Sequence, residues 1–462
     1  MLSVSDISKA VEGSWFVEPV DRFLKMRIET DSRKDCSGAC FVAFSGENFD
    51  AHNFLEDVIE GGAKVVCVES HPSDSTIHMA TCRGCGILKV NSTLKAYQAM
   101  GSYLLKNFSK CRVIGITGSS GKTSVKSILA HLLEDLYPDK VLSTEGNTNN
   151  HIGVPQNLLR LKGNEDFAVI EMGTNHPGEI ATLAQIAPPD VAVLTSIGDS
   201  HSGNFDPVDG ILFEKADIVK FMKFEGVAVV PFSKLVDLRR TGALAGRRYV
   251  TFGSEEGADY QVVYHGGNYN GSSFTLKYKS GKEKLFQSKL TGKHQAENCA
   301  ACLAALSVMG IKLKNFLHSF EDMELPGMRM KVSEESGVRF INDAYNANPQ
   351  SMVAFFEWLT ELEFTETFEG EKYLVIGDML ELGDRSLEFH QNVYLSAPKG
   401  WKVIAVGEYG SKAFWGGEDF EDSSSAAEYL VPLLRAGDTV ALKGSRGIHL
   451  EEIIEHFKEE RT

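Results

Sequence analysis

The chain has 462 residues, 43% hydrophobic and 24% charged, which is enough apolar content for about two to four folded domains. A formal net charge of -16 excludes non-specific nucleic-acid binding, which needs a basic surface, but leaves room for a local basic cleft. No apolar run approaches the length of a bilayer span, and the start MLSVSDISKAVEG lacks the basic-then-apolar order of a secretory signal, so no membrane span and a cytoplasmic location are expected.

Three zones follow one another without repeats or low-complexity tracts. In the first, to about residue 107, the runs FVAF (41–44), AKVVCV (63–68) and GILKV (86–90) predict strands of a small α/β domain. Cys82 and Cys85 form a C-x-x-C, but no second pair stands at zinc-ribbon spacing. Cys299 and Cys302 lie one helical turn apart in an Ala-rich stretch. Buried thiols acting as small hydrophobes are expected there.

The second zone, about 108–325, opens on an apolar run, Val113 to Ile116, that reads as a buried strand. Next comes TGSSGKT: Thr117, Gly118, Ser119, Ser120, Gly121, Lys122 and Thr123. Val125, Ile128, Leu129, Leu132, Leu133 and Leu136 then recur at helical spacing. A strand, a small-residue loop with Lys and Thr, and a helix form the arrangement that grips a nucleoside triphosphate. Glycines admit the phosphates to the backbone, and the helix start adds positive potential. Lys122 would neutralise the β- and γ-phosphates, and the Thr123 hydroxyl would hold Mg²⁺. The common pattern places Gly five residues before Gly121, where this chain has Ile116, so the loop is a shorter variant.

Further along, TEGNTNNHIGVP (144–155) carries Asn147, Asn149 and Asn150, suited either to phosphate and carboxylate contacts or to turn formation. Glu171 ends the run DFAVIEMG (166–173), and His201 follows VAVLTSIG. Both are placed near the sheet edge that holds the phosphate loop. There they would serve Mg²⁺ directly or through water, or else make local hydrogen bonds. Residues 225–292 read as β-rich. GKHQAEN then sets His294 and Asn298 on one helical face, as purine-edge readers or as helix-start caps. ELPGMRM (324–330) reads as a linker. In the third zone, VRFIN, KYLVIG, WKVIAVG and DTVALKG alternate with SMVAFFEWLTEL and HLEEIIEHF, which predicts a parallel sheet covered by helices. DAYNANP (343–349) and KGSRG (443–447) each follow a strand, where ligands bind in such sheets. The second offers Lys443 and Arg446 to a carboxylate or phosphate.

Taken in order, DSRK (31–34), FVAFSGENFDAHNF (41–54), TGSSGKTS, GNTNNHIGVP, EMGTNHPGEI (171–180), GKHQAEN, PGMRM, NDAYNANPQSM (342–352), GDMLELG (377–383) and KGSRG resemble the Mur ligases of peptidoglycan assembly over essentially the whole chain. DAYNANP, GDMLELG and KGSRG resemble the member that adds D-alanyl-D-alanine. The resemblance implies an α/β protein of three domains: a small N-terminal UDP-binding domain (1–107), a central P-loop ATPase with a mostly parallel sheet (108–325) and a C-terminal Rossmann-like domain (326–462). It implies ATP and Mg²⁺, with UDP-N-acetylmuramoyl-tripeptide and D-alanyl-D-alanine as substrates, and a monomer.

The same resemblance assigns roles. Thr123 and Glu171 would ligate one Mg²⁺ and His201 a second. Lys215, in FEKADI, matches a lysine that these ligases carry as a carbamate, an anionic ligand in place of a cation. Lys122, His201, Lys215 and Asn150 would be the catalytic groups, with Asn147 and Asn149 on the substrate side. His294 and Asn298 would face adenine, and Arg329 and Asp343 the ATP phosphates and ribose. Ser32, Arg33, Asp50 and His52 would serve the UDP moiety. Asn346, Lys443, Ser445 and Arg446 would lie near the dipeptide and peptide stem. Two departures stand out: Gln295 where the adenine motif commonly has Asn, and IHLEE after KGSRG. Two other functions are compatible with the phosphate loop. One is another Mur-type or folylpolyglutamate-type amide ligase, and the other an ATP-driven switch protein that hydrolyses nucleotide without an amine acceptor.

Overall fold

The computed structural model describes residues 1–198, 205, 209–413 and 417–461. The fold is α/β, and the chain clusters into two compact units. The first comprises Met1–Gly115, Tyr137–Gly173 and Ala181–Asp190; the second comprises Ile116–Leu136, Thr174–Ile180 and Val191–Thr462.

In the first unit, the three expected strands are Cys40–Val42, Val65–Val68 and Gly86–Val90, parallel neighbours in that order. Apolar side chains from both strand and helix explain the arrangement. Phe41, Val66, Val68 and Ile87 bury against Leu55, Val58 and Ile59. Two edge strands complete the sheet: Ile28–Glu29, parallel, and Gly13–Val17, antiparallel. Their side chains are half-buried or exposed, so no apolar run announced them. The same unit holds the parallel strands Val141–Ser143 and Phe167–Glu171. The latter is buried along its whole length and ends on a carboxylate.

The second unit begins at the phosphate loop and its helix, Lys122–Leu136. Strands Val191–Leu194, Val227–Pro231, Arg248–Gly253 and Tyr260–Asn268 run parallel in that order. Gly271–Tyr278 and Glu283–Ser288 then continue antiparallel, which accounts for the β-rich composition of residues 225–292. In these last two strands burial alternates. Phe274, Leu276 and Phe286 face inward, and the Phe274 and Phe286 rings stack with centroids 5.3 Å apart. Helix Lys293–Val308 buries Cys299 and Cys302 completely, so these thiols do pack as small hydrophobes. All eight cysteines are free.

A further six-stranded sheet has the order Lys331–Glu335, Val338–Asn342, Thr439–Lys443, Lys372–Gly377, Lys402–Val406, Glu418–Phe420. Only the first pair is antiparallel. Strand pleating sends Val338, Phe340, Val375, Val440 and Leu442 to one core and Ile341, Leu374, Ile376 and Ala441 to another. Both faces are apolar, so helices must cover both. Helices Ser423–Leu430 and Glu451–Arg461 close the first core, and Pro349–Thr365 and Ser386–Leu395 the second. Residues 324–330, read as a linker, carry no regular structure.

Phe340 is fully buried and packs edge-on against Phe457, with ring centroids 5.2 Å apart. Phe340→Ala will cost about 3–5 kcal/mol of stability, read as an earlier denaturant midpoint. Phe364→Ala, at a ring 86% exposed, will change it by no more than about 0.5 kcal/mol.

Candidate active site

Strand Arg112–Thr117 runs directly into the loop Gly118–Gly121, and the helix starts at Lys122. Ile116 belongs to the strand and is fully buried, which explains why the first loop glycine comes later than usual. Gly118 has φ +157°, and a Cβ there would lie 1.9 Å from Thr195 Oγ1. Only glycine fits that approach. The loop is pinned on its far side by residues 195–198. Ser119 N donates to Ser196 O at 2.9 Å, and Ser120 N donates to Ser196 Oγ at 2.8 Å. Ser119 Oγ donates to Gly198 O at 2.8 Å, and Thr195 Oγ1 donates to Ser120 O at 2.5 Å. A loop fixed by this many bonds, at the start of a 15-residue helix, has the pre-organised geometry that an anion site requires.

Two lysines meet at the loop. Lys122 Nζ donates to Gly118 O at 2.7 Å, and Lys215 Nζ donates to the same oxygen at 3.0 Å. Lys215 comes from helix Gly210–Lys220 and is only 1% exposed. Burial first, and the Lys122 ammonium second, hold its amine well below the usual lysine range. Its neighbour Glu214 is engaged elsewhere, accepting from Thr174 Oγ1 at 3.0 Å, Gly178 N at 2.6 Å and Ile180 N at 2.7 Å. Asn298 stands over the loop: a Cβ on Gly121 would lie 2.7 Å from Asn298 Oδ1. Gln295, the departure in the adenine motif, is buried and accepts from Asn298 Nδ2 at 3.0 Å, so it orients that amide.

In the first unit, Glu171 is 1% exposed and accepts from Asn149 Nδ2 at 2.8 Å. Asn150 Oδ1 accepts from Gly153 N at 2.8 Å and Ile152 N at 3.1 Å, a turn-forming role, and Asn147 is exposed. His52 is tied at both ring nitrogens. Nδ1 meets Asp50 Oδ1 at 2.6 Å, and Nε2 accepts from Glu69 N at 3.0 Å. Arg33 is exposed and forked onto Asp31, holding that carboxyl down to about 2; Ser32, beside it, is half-buried. His201 lies outside the described residues.

The remaining candidates gather at strand ends of the six-stranded sheet. Lys443 is 2% exposed and donates to Asp343 Oδ2 at 2.7 Å and to Asn346 O at 3.1 Å. Asp343 Oδ1 accepts from Met330 N at 3.1 Å. The Arg329 guanidinium lies 3.6 Å from the Tyr345 ring centroid. Ser445 joins two motifs: its N donates to Asp378 O at 3.0 Å, and its Oγ accepts from Leu380 N at 2.9 Å. Arg446 is exposed and pairs with Glu451 at 3.3 Å. One contact that residue reading missed closes the set. Asn348, the last Asn of DAYNANP, donates through Nδ2 to Ser120 Oγ at 2.8 Å, and so reaches the phosphate loop.

The UDP-N-acetylmuramoyl-tripeptide--D-alanyl-D-alanine ligase of Bacillus subtilis is 33% identical to this chain over 99% of it and 98% of that protein. The chain belongs to the Mur ligase family. Within this Mur ligase, residues 116–306 match the Mur ligase middle domain, and residues 328–446 match the Mur ligase, glutamate ligase domain. The ligase of the same name from Escherichia coli is 31% identical over 94% of each chain. Among solved structures, MurF from Acinetobacter baumannii superposes with a TM-score of 0.88 at 31% identity, covering 99% of this chain and 98% of its own. MurF from Thermotoga maritima in complex with ADP gives a TM-score of 0.84 at 29% identity, covering 95% and 99%.

His294 lines a cavity of about 190 Å³ with Tyr264, Lys293, Ala354, Glu357, Trp358 and Glu361. The atoms packed round its ring, more than any charge, bring it down to about 4 from the ordinary 6.5, so it is neutral at pH 7. The unfolded chain takes up this proton on acidification before the folded one does. Stability is therefore full above about pH 6.5 and falls as pH drops toward 4. His294→Gln will flatten that slope, measured by denaturant unfolding from pH 4 to pH 7.

Proposed function

We propose that this Mur ligase joins D-alanyl-D-alanine to UDP-N-acetylmuramoyl-tripeptide, consuming ATP to ADP and phosphate, as a cytoplasmic monomer. No helix among the described residues is long and apolar enough to cross a membrane. The observation that carries the reading is a phosphate loop in hydrogen-bond contact with the DAYNANP turn, which Lys443 of KGSRG braces. A nucleotide switch needs the loop alone. An amide ligase needs an acceptor site within reach of the γ-phosphate. Relatedness along nearly the whole chain to the Bacillus subtilis ligase supports the same substrates. The working division is 1–107 for the UDP moiety, 108–325 for ATP and 326–462 for the dipeptide.

A carboxylate resists attack by an amine because oxide is a poor leaving group. The terminal carboxylate of the tripeptide attacks the γ-phosphorus, the bond to the β-phosphate oxygen breaks, and ADP leaves. The amine of D-alanyl-D-alanine then attacks the acyl phosphate. The C–O bond breaks, phosphate leaves with its electron pair, and the amine gives up a proton. The first step brings two anions together. Lys122, already turned onto the loop, supplies a cation where charge develops. The pinned backbone of residues 118–121 costs no reorganisation when phosphate arrives. Asn298 is offered to the base and Asp343 and Arg329 to the ribose and phosphates. Asn346, Ser445 and Arg446 face the dipeptide and peptide stem, and Ser32, Arg33, Asp50 and His52 the UDP moiety.

The Thr123 hydroxyl and, separately, the Glu171 carboxylate are oxygens of the kind that Mg²⁺, a hard cation, would take, and His201 would attend a further ion. Bound there, Mg²⁺ would neutralise phosphate charge. Lys215 is proposed as a carbamate. Burial first, and the neighbouring ammonium second, favour the neutral, nucleophilic form of the amine. It adds to CO₂, forming an N–C bond and releasing a proton, and the product is an anion beside Lys122.

Coupled phosphate release, with each substrate omitted in turn, tests the assignment. Release will require the tripeptide and the dipeptide together. Release indifferent to the dipeptide would favour the switch reading instead. Lys215→Ala will lose about a hundredfold in kcat or more, and added short-chain carboxylic acids will restore part of it. Full activity in that variant would reject the carbamate.

A further inference from the structure

Asn348 begins helix Pro349–Thr365 as its N-cap. Its Oδ1 accepts from Ser351 N at 2.9 Å, and Ser351 Oγ returns the bond by accepting from Asn348 N at 3.0 Å. Ser or Asp caps a helix about as well as Asn. What they lack is an NH₂ group, and here that group has its own partners. Nδ2 donates to Ser120 Oγ at 2.8 Å and to Ser119 O at 3.4 Å, while Ser120 Oγ donates back to Asn348 Oδ1 at 3.1 Å. The residue is only 9% exposed, so water does not replace these bonds cheaply.

Ser120 is held from the other side. Its N and O are taken by Ser196 and Thr195, and its hydroxyl goes to Asn348. At the opposite end of the same turn, Lys443 Nζ grips Asp343 Oδ2 and Asn346 O. Six residues, 343–348, thus span from the KGSRG lysine to the middle of the phosphate loop. Gln350, two residues into the helix, also approaches the strand end beyond Ser196: a Cβ on Gly198 would lie 2.7 Å from its Oε1.

We infer that Asn348 is a positioning residue, distinct from its capping role, that holds the amine-acceptor turn in register with the phosphate loop through Ser120. The inference rests on the ligase reading above. Amide formation requires the acyl phosphate and the amine within near-attack distance, and a shift of about an ångström is costly. The Asn348 side chain is spent on Ser119, Ser120 and Ser351, and in this role it sets the distance between the two loops.

Asn348→Ser separates the two roles, because serine keeps the cap and loses the NH₂ donor. The expected result is a thermal midpoint lowered no further than that of Ser120→Ala, a nucleotide Kd within about twofold, and kcat for amide formation lower by about tenfold. Ser120→Ala removes the same contact without touching the helix and will lower kcat alike. The double variant will lose no more than Asn348→Ser alone, because Ser120→Ala removes a contact that Asn348→Ser already lacks. Turnover of Asn348→Ser within about twofold of the unsubstituted enzyme, or strictly additive losses in the double variant, overturns the inference. So does an activity loss in Asn348→Ser that comes with a lowered midpoint and is absent from Ser120→Ala. The unsubstituted enzyme separates the two claims. If it forms no amide from the tripeptide and dipeptide, the ligase assignment fails; if it does and the variants match it, only the role of Asn348 fails.

Discussion

Everything at the candidate centre turns on the carbonyl oxygen of Gly118. It accepts from Lys122 and from Lys215, two side chains that arrive from different helices. Two ammonium groups cannot share one buried oxygen without mutual cost. Lys215 meets that constraint by favouring its neutral form. Lys122 remains the cation at the loop, at a helix start that also favours negative charge. The stiffness of the loop follows from the same logic. Each polar atom that holds it is internal to the fold, so the receptor is set before phosphate arrives.

The six-stranded sheet places a second set of groups at its strand ends. A buried ion pair such as Lys443–Asp343 is a poor source of net stability, because desolvation offsets much of the attraction. Its value here is geometric. It fixes a turn whose far end bonds to the phosphate loop, and Ser445 fixes the neighbouring GDMLELG segment through Asp378 and Leu380. Asp378 is itself buried and accepts from the N–H groups of Tyr409 and Gly410 at 3.2 Å. Motifs far apart in the chain thus form one hydrogen-bonded framework.

Much of this was readable in the residues themselves. Strand Lys372–Gly377 coincides with KYLVIG because it is buried on both faces and so reads as an unbroken apolar run. The strand–loop–helix order around Gly118–Gly121 was readable because its parts are contiguous. Strands Gly13–Val17 and Ile28–Glu29 were not, since edge strands with partly exposed side chains carry no such run. The strand Lys331–Glu335 was hidden for the same reason: it carries charge and buries no residue fully. Asn348 looked like one more helix cap. Nothing local distinguishes a capping amide from one that also reaches across the fold.

The sequence by itself determined the local structure: which small-residue loop joins a buried strand to a helix, which strands bury both faces and which helices follow them. These depend on neighbours within a few residues, where periodicity and residue type suffice. Only the tertiary structure decided that Lys215 shares an oxygen with Lys122, and that Asn348 meets Ser120, 228 residues earlier. Such contacts arise when packed elements bring distant polar atoms out of water together, and their position follows from the closed core, not from any spacing along the chain.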